Sequence, residues 1–188
     1  IDILTDYSEH IWDHDQDLYV IMEHFADDDE EKELASKGMM LWSNTTFQYA
    51  EAAMGYDSDL KASSYKSRGF QNPSIIAYME SHDEERMGFK INEYGNSTSD
   101  YDTKSAWTFA ERMASTAAVY MSIPGPKMLW QFGELGYDYS INRCEDGSIN
   151  DNCRLSSKPV RWDFLDEAHR SLIQNKMAAT LYLRNNFD

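Results

Sequence analysis

Ionisable side chains follow an apolar segment directly in the stretch IIAYMESHDEERMG, residues 75–88. His82 and Asp83 stand side by side there, and the apolar run before them has the composition of a buried strand. Another carboxylate, Glu23, follows the apolar residues LYVIM in the same way. Paired carboxylates are the residues that glycoside hydrolysis uses, because one protonates the leaving oxygen while the other stabilises the cationic sugar centre.

Each of these residues has a simpler interpretation when it is taken alone. Glu23 would be an acid in the first turn of the next helix, where the helix dipole favours negative charge. Asp83 is equally typical of a solvated turn, and His82 of a hydrogen-bonded structural histidine. Metal binding would use the same side chains together with His24, but no H-E-x-x-H or EF-hand spacing occurs, so we predict no metal site.

Four short apolar runs alternate with longer segments of helical character. The runs lie at residues 18–22, 39–42, 75–79 and 127–132. Near-continuous apolar strands that alternate with helices favour a parallel sheet covered by helices, in an α/β fold. Because the sequence contains no Pro/Gly-rich linker, we predict one domain over residues 1–188.

The helical segments are recognised by charge, capping and period. DDDEEKELASK is an acidic helix start, and SNTTFQYAEAAMG would be capped by Ser43 or Asn44 and end near Gly55. Apolar residues recur at helical spacing before Pro124, and again in the closing segment DEAHRSLIQNKMAATLYLR. The chain therefore reads as four strand-then-helix units.

Polar and aromatic residues also follow the second and fourth apolar runs. Trp42 and Asn44 lie around the end of the second, and Glu134 follows the fourth. Loops at the carboxyl ends of parallel strands share one edge, so we expect these side chains to converge. Exposed aromatic rings near them could stack on sugars or could be packing residues; the candidates are Trp42, Phe70, Trp130 and Trp162.

Composition excludes several classes of partner. The formal net charge of −16 opposes binding to nucleic acid and to anionic membranes, so we predict neither. No apolar run is long enough to span a bilayer, and no Walker A or G-x-S-x-G motif occurs. The chain does not begin with Met, so we expect an upstream segment. The start of the sequence therefore does not indicate a cellular compartment.

The two cysteines, Cys144 and Cys153, lie in one polar stretch. Their spacing allows a local disulfide, and two reduced thiols in a loop are an equal alternative. A bridged pair would favour a periplasmic or extracellular location.

Three segments, taken in order, resemble the catalytic barrel of the α-amylase family of glycoside hydrolases, and the resemblance covers nearly all of the chain. YMESHDEER is similar to the family's motif after the seventh strand, and YVIMEHFAD to the segment that carries the general acid after the fifth. IPGPKMLWQFGELG is similar to the eighth strand. The resemblance implies half of a (β/α)8 TIM-type barrel, from the fifth to the eighth unit. Two arrangements would complete it: self-pairing in a homodimer, or a missing N-terminal half.

The resemblance also implies roles on starch-type α-1,4 glucan. Glu23 would be the general acid/base, Asp83 the carboxylate that stabilises the transition state, and His82 a donor to sugar hydroxyls. Trp42, Asn44 and Glu134 would bind substrate. No cofactor is expected in this chain, although calcium is a candidate for the parent enzyme.

Two departures from the family pattern matter. Met22 stands where many members have Gly, and Ser81 with Glu84 is closer to glucan-branching members, so hydrolysis and glucan transfer are both expected alternatives. The family's nucleophile, in a Gly-x-Arg-x-Asp motif, does not occur in the chain and is expected upstream. We therefore predict a piece that is inactive alone, with a non-catalytic glucan-binding half barrel as the remaining alternative.

Overall fold

The computed structural model describes residues 1–187 as a mixed α/β protein with a four-stranded parallel sheet. The strands follow one another in the order β1-β2-β3-β4, and every neighbouring pair is parallel. Their bounds are Ile21–Met22 for β1, Met40–Asn44 for β2, Ile75–Tyr78 for β3 and Lys127–Met128 for β4. The predicted α/β fold with a parallel sheet is confirmed.

Six α-helices and four short 3-10 helices complete the described part of the chain. The α-helices are α1 (Asp2–His14), α2 (Asp28–Ser36), α3 (Thr46–Met54), α4 (Met87–Tyr94), α5 (Ala106–Ser122) and α6 (Ala168–Asn186). The 3-10 helices are Lys61–Ser63, Gly133–Leu135, Asp151–Cys153 and Trp162–Asp166.

The chain packs as two compact units, each built from three separate segments. The sheet unit comprises Ile1–Thr45, Leu60–Tyr78 and Ile123–Met128, and it contains all four strands with α1 and α2. The helical unit comprises Thr46–Asp59, Met79–Ser122 and the chain from Leu129 onward, and it contains α3 to α6.

The sheet unit is held together by apolar side chains of the two central strands and their neighbours. Leu41 of β2 and Ile75 of β3 are register partners and are almost fully buried, with Leu34 of α2 and Met39 in the same cluster. The strand β3 is buried at every position. Such continuous burial is typical of a parallel strand covered on both faces, which explains the uninterrupted apolar run in the sequence.

The helical unit is built around α5, which packs mainly against α6. Phe109, Met113, Ala117 and Tyr120 are all buried, so the predicted apolar face of this helix is confirmed. A smaller, mostly aromatic cluster in the same unit consists of Phe132, Leu135, Tyr137 and Phe164, with Tyr139 packed against it.

Two features of the helices differ from the sequence prediction. Ser43 and Asn44 belong to β2, so neither caps α3, which begins at Thr46. The hydroxyl of Thr45 instead donates to the carbonyl of Tyr78, 3.0 Å away, and this bond ties the ends of β2 and β3 together. The helix α4 was not predicted, because it shows no long apolar period.

Cys144 and Cys153 form a disulfide, which resolves the alternative that the sequence left open. The bridge is compatible with an oxidising compartment. Within residues 1–187, no helix is both long enough and apolar enough to cross a membrane.

Candidate functional site

In the sheet unit, Glu23 follows β1 directly and its side chain is exposed. The helix α2 begins only at Asp28, so Glu23 is not an acid of the first helical turn and that alternative is wrong. Two residues later, Phe25 adopts a left-handed backbone conformation with φ of 50° and leaves half of its ring exposed. A non-glycine residue in this conformation is uncommon and is enriched near functional sites.

Trp42 and Asn44 of the sheet unit line one open cavity of about 280 Å³. They are two residues apart on β2, so their side chains leave the same face of the sheet. The ring of Trp42 also contacts Tyr78 edge to face, with 5.8 Å between centroids. Phe25 lines the same cavity, whereas Glu23 does not.

Arg68 forms the polar floor of this cavity. Its guanidinium binds Asp28 and Glu31, the latter at 2.6 Å, and donates to the hydroxyl of Ser43 at 3.1 Å. Burial alone would lower the pKa of Arg68, but hydrogen bonds and charges from the two carboxylates outweigh burial and raise it. The guanidinium therefore stays charged and orders the backbone after β1 and β2.

In the helical unit, each oxygen of the Asp83 carboxylate has a nitrogen neighbour, and Arg154 donates a hydrogen bond to one of them. His82 Nε2 lies 3.2 Å from Oδ2, and Arg154 Nη2 lies 3.1 Å from Oδ1. Arg154 also donates to the backbone carbonyl of Asp83. The carboxylate is about half exposed, and the His82 side chain is 66% exposed, so His82 is not a buried structural histidine.

A short hydrogen-bonded turn orients the backbone at Asp83. The hydroxyl of Ser81 accepts the amide of Asp83, 3.1 Å away, and donates to the carboxylate of Glu84. Ser81 itself is buried. Glu84 thus orients the Ser81 hydroxyl, which in turn fixes the backbone of Asp83.

His82 and Asp83 line a cavity of about 200 Å³ within the helical unit. Trp130 lies beside them, with its ring centroid 6.0 Å from that of His82. This volume lies below the usual range for drug-sized ligands and suits one ring-sized group. The cavity wall is mostly aromatic and cationic: Arg86, Trp130, Tyr137, Tyr139, Arg154 and Lys158.

A buried ion pair lies behind the Asp83 turn, and no pattern in the sequence predicts it. Arg86 Nη2 is 3.5 Å from Glu80 Oε2, and both side chains are about 95% buried or more. Met87 donates its amide to the other oxygen, Oε1, at 2.7 Å. Burial raises the pKa of Glu80; Arg86 and the Met87 amide oppose this rise, and the charges of Glu134 and Glu85 add to it.

The other predicted residues have separate places. Glu134 lies half-buried in the 3-10 helix Gly133–Leu135 and does not line the Asp83 cavity. Trp162 is 63% exposed and packs edge to face on Phe132. Phe70 is only 5% exposed and belongs to the core of the sheet unit, so it is a packing residue and cannot stack on a sugar.

The structure thus brings Trp42 and Asn44 together in the sheet unit, and His82 and Asp83 together in the helical unit. Among the residues described, no group of three or more His, Cys, Asp or Glu side chains is placed to hold a metal ion. A scan against models of known protein families finds no match, and a search of curated protein sequences finds no significant match.

Proposed function

We propose that the chain is part of a retaining glycoside hydrolase of the α-amylase family that acts on starch-type α-1,4 glucan. The observation that carries this proposal is the Asp83 carboxylate, held by His82 beside the ring of Trp130 in a cavity. An accessible carboxylate stabilises an oxocarbenium-like centre, an imidazole donates to hydroxyls, and an indole stacks on a sugar face.

Each predicted side chain has a role in this proposal. Asp83 stabilises the transition state, and His82 donates a hydrogen bond to a sugar hydroxyl. Glu23 is the general acid/base, and Trp42, Asn44 and Glu134 bind the glucan. The exposure of Glu23, Asn44 and His82 supports these roles, because a residue that acts on a polymer must be reachable.

The order of the strands supports the finer fold proposal, a half (β/α)8 barrel made of its fifth to eighth units. Doubly wound sheets reverse direction, so their strand order is not sequential along the chain. A barrel adds each new parallel strand beside the one before it. The sheet here adds its four strands in chain order, as a barrel would.

The nucleophile is the part of the proposal that residues 1–188 do not supply. A retaining mechanism needs a carboxylate about 5–5.5 Å from the acid. The family provides it in a Gly-x-Arg-x-Asp motif, and this chain has none. The proposal therefore requires the motif in a preceding part of the parent protein, and reading the parent gene tests this directly: without the motif, the enzyme proposal fails.

A missing N-terminal half of the barrel, or a second copy of this chain, would cover apolar surface of the sheet unit. Ile3, Tyr7 and Ile11 recur every four residues on α1, and they are 68%, 66% and 39% exposed. The outer strand β1 also has an unpaired edge, which invites another chain. Light scattering of the 188-residue chain should show a dimer, and a stable monomer would exclude self-pairing.

Glucan branching is the second candidate, and the Ser81 and Glu84 pair is the observation that favours it. The two side chains are hydrogen-bonded, so they form one unit beside Asp83. A branching transferase would make α-1,6 linkages in amylose, whereas a hydrolase would release reducing sugar. Product analysis with a debranching enzyme separates these outcomes for the parent protein.

Binding of maltoheptaose to the 188-residue chain tests the site without the nucleophile. Calorimetry should show weak binding that Trp130→Ala and His82→Ala reduce, while Lys176→Gln on the exposed face of α6 leaves it unchanged. In the parent protein, Glu23→Gln should abolish release of reducing sugar. Binding without any turnover by the parent would instead support a non-catalytic glucan-binding half barrel.

A periplasmic or extracellular location accompanies this proposal. The Cys144–Cys153 disulfide supports it, because such bridges persist in oxidising compartments. Trapping free thiols in intact cells before lysis would test it: labelling of both cysteines would argue for a reducing compartment.

A further inference from the structure

Arg154 contacts Asp83 from a distant part of the chain, the loop of residues 140–158. It donates to the Asp83 carbonyl and to its carboxylate, so one guanidinium fixes both the backbone and the side chain. Guanidinium groups suit this task because their donors diverge in one rigid plane. Sequence distance alone gave no reason to connect the two residues.

The start of the same loop is tied to the segment that carries Asp83. The Glu85 carboxylate accepts the hydroxyl of Ser140 at 2.9 Å and the amide of Ile141 at 2.7 Å. The start of the loop is therefore bound to Glu85, and Arg154, near the end of the loop, is bound to Asp83. We call the loop of residues 140–158 the strap, because it is bound to both of these residues of the Asp83 turn.

The middle of the strap is closed on itself. Cys153 is bonded to Cys144, and the residue after Cys153 is Arg154. The amide of Cys144 donates to the carbonyl of Ser148 at 2.8 Å within the closed loop, and the amide of Asn150 donates at 2.9 Å to the carbonyl of Asn142, just before the loop. The disulfide therefore limits where the backbone of Arg154 can lie.

Lys158 holds the end of the strap. Its ammonium group donates to the carbonyls of Cys153 at 2.8 Å and of Ser156 at 2.7 Å, and it reaches that of Arg154 at 3.4 Å. These are carbonyls that follow the 3-10 helix Asp151–Cys153, where cations are favourable. The backbone on both sides of Arg154 is thus fixed before its side chain meets Asp83.

We propose that Arg154 is a positioning residue for Asp83, and that the Cys144–Cys153 disulfide sets the position of Arg154. This inference rests on the proposed function, since it gives Asp83 its orientation toward the glucan. Arg154 donates to Oδ1 and to the backbone carbonyl of Asp83, and His82 Nε2 lies 3.2 Å from Oδ2, so these contacts restrict the orientation of the carboxylate. A pre-oriented carboxylate loses less conformational freedom when a sugar binds, which improves binding.

The expected effect is modest, because both partners are about half exposed. Exposed ion pairs of this kind change equilibria by about two- to fivefold. We expect maltoheptaose to bind about two- to fivefold more weakly to Arg154→Gln. Arg154→Lys, which keeps the charge, should recover part of the loss, and Lys176→Gln should bind like wild type.

A double-mutant cycle separates positioning from direct contact with the sugar. If Arg154 acts through Asp83, then Arg154→Gln should have no further effect on maltoheptaose affinity in an Asp83→Asn background. An equal loss in both backgrounds would overturn the positioning role, because Arg154 would then bind the glucan itself.

Nuclear magnetic resonance of the 188-residue chain tests the pair without any glucan. The Nη–H signal of Arg154, identified by its loss in Arg154→Lys, should shift in Asp83→Asn and stay in place in the exposed-loop control Glu145→Gln. Reduction of the wild-type disulfide, verified by thiol counting, should move the signal toward that of a free arginine. An unchanged signal in Asp83→Asn, or after reduction, would overturn the corresponding half of the proposal.

The binding experiment and the resonance experiment also separate this inference from the proposed function. If wild type binds no maltoheptaose, the proposed function fails, and the resonance experiment alone decides whether Arg154 and the disulfide position Asp83.

Discussion

Glu80 and Arg86 form a buried ion pair at the base of the turn that carries Asp83. Their charged atoms lie 3.5 Å apart, and neither side chain is more than 5% exposed. Arg86 also stacks on the ring of Tyr137 and donates to the Gln131 carbonyl. The five residues between these two partners form a turn that is fixed at both ends, so its exposed residues extend from a rigid base.

Removing the Glu80 carboxylate should destabilise the protein strongly. Glu80→Ala leaves Arg86 buried without its counter-charge, and such losses cost about 3–5 kcal/mol. The free energy of unfolding, measured by urea denaturation, should fall by that amount. Glu145→Ala, an exposed carboxylate of the disulfide loop, is the matched control and should change it by less than about 0.5 kcal/mol. Equal effects of both variants would contradict the pair's role.

Stability should depend on pH through Glu80 in an unusual direction. Burial raises the pKa of Glu80 above its usual 4.5, so the folded protein keeps this proton when the unfolded chain has lost it. The stabilisation from the proton is complete below pH 4.5 and is lost as pH rises through the folded-state value. The stability advantage of wild type over Glu80→Gln, measured by urea denaturation, should therefore shrink from pH 4.5 upward. A constant or growing advantage across this range would contradict the prediction.

Gly88 should not tolerate a side chain, although it lies in a helix. A Cβ atom there would lie 2.6 Å from the carbonyl oxygen of Tyr137 and 2.8 Å from that of Gly136. Alanine gains up to about 1 kcal/mol of helix propensity, but the overlap with rigid backbone should cost about 1–3 kcal/mol or more. Thermal unfolding should show a lower midpoint for Gly88→Ala, whereas Glu93→Ala on the exposed face of the same helix should leave it within a degree or two.

Loss of the disulfide should reduce stability moderately. Cys144 and Cys153 are nine residues apart, and closing a loop of this size is worth roughly 2–3 kcal/mol through the unfolded chain. The double variant Cys144→Ser/Cys153→Ser should lose that much in urea denaturation. Wild type with added reductant should lose the same amount, and a stability unaffected by either change would show that the loop is held by its hydrogen bonds alone.

The elements that the sequence predicts are those with a strong local signal. The strand β3 and the helix α5 carry continuous or regularly spaced apolar residues, such as Ile75 and Phe109, and both were identified. The helix α4 has only Met87, Gly88 and Ile91 buried, too few for a period. The start of α3 was misplaced because β2 extends to Asn44, and strand pairing outweighed the capping preference of Ser43 and Asn44.

The candidate site is predictable only in part, for a similar reason. The adjacency of His82 and Asp83 is a property of the sequence, and so is the nearness of Glu23 to an apolar run. The contact of Arg154 with Asp83 and the burial of Glu80 with Arg86 depend on how distant segments pack. The identity of a charged residue does not indicate whether it is buried, so the sequence does not distinguish Glu80 from its exposed neighbours.

The sequential strand order has a consequence for synthesis of the protein. The partners of Ala77 and Tyr78 in the sheet are Lys127 and Met128, which the ribosome adds only after α4 and α5. At usual translation rates this delay lasts on the order of seconds. During it the newly made β3 presents an open edge of apolar residues, so the nascent chain is most vulnerable to aggregation, and most in need of a chaperone, just before its fourth strand leaves the exit tunnel.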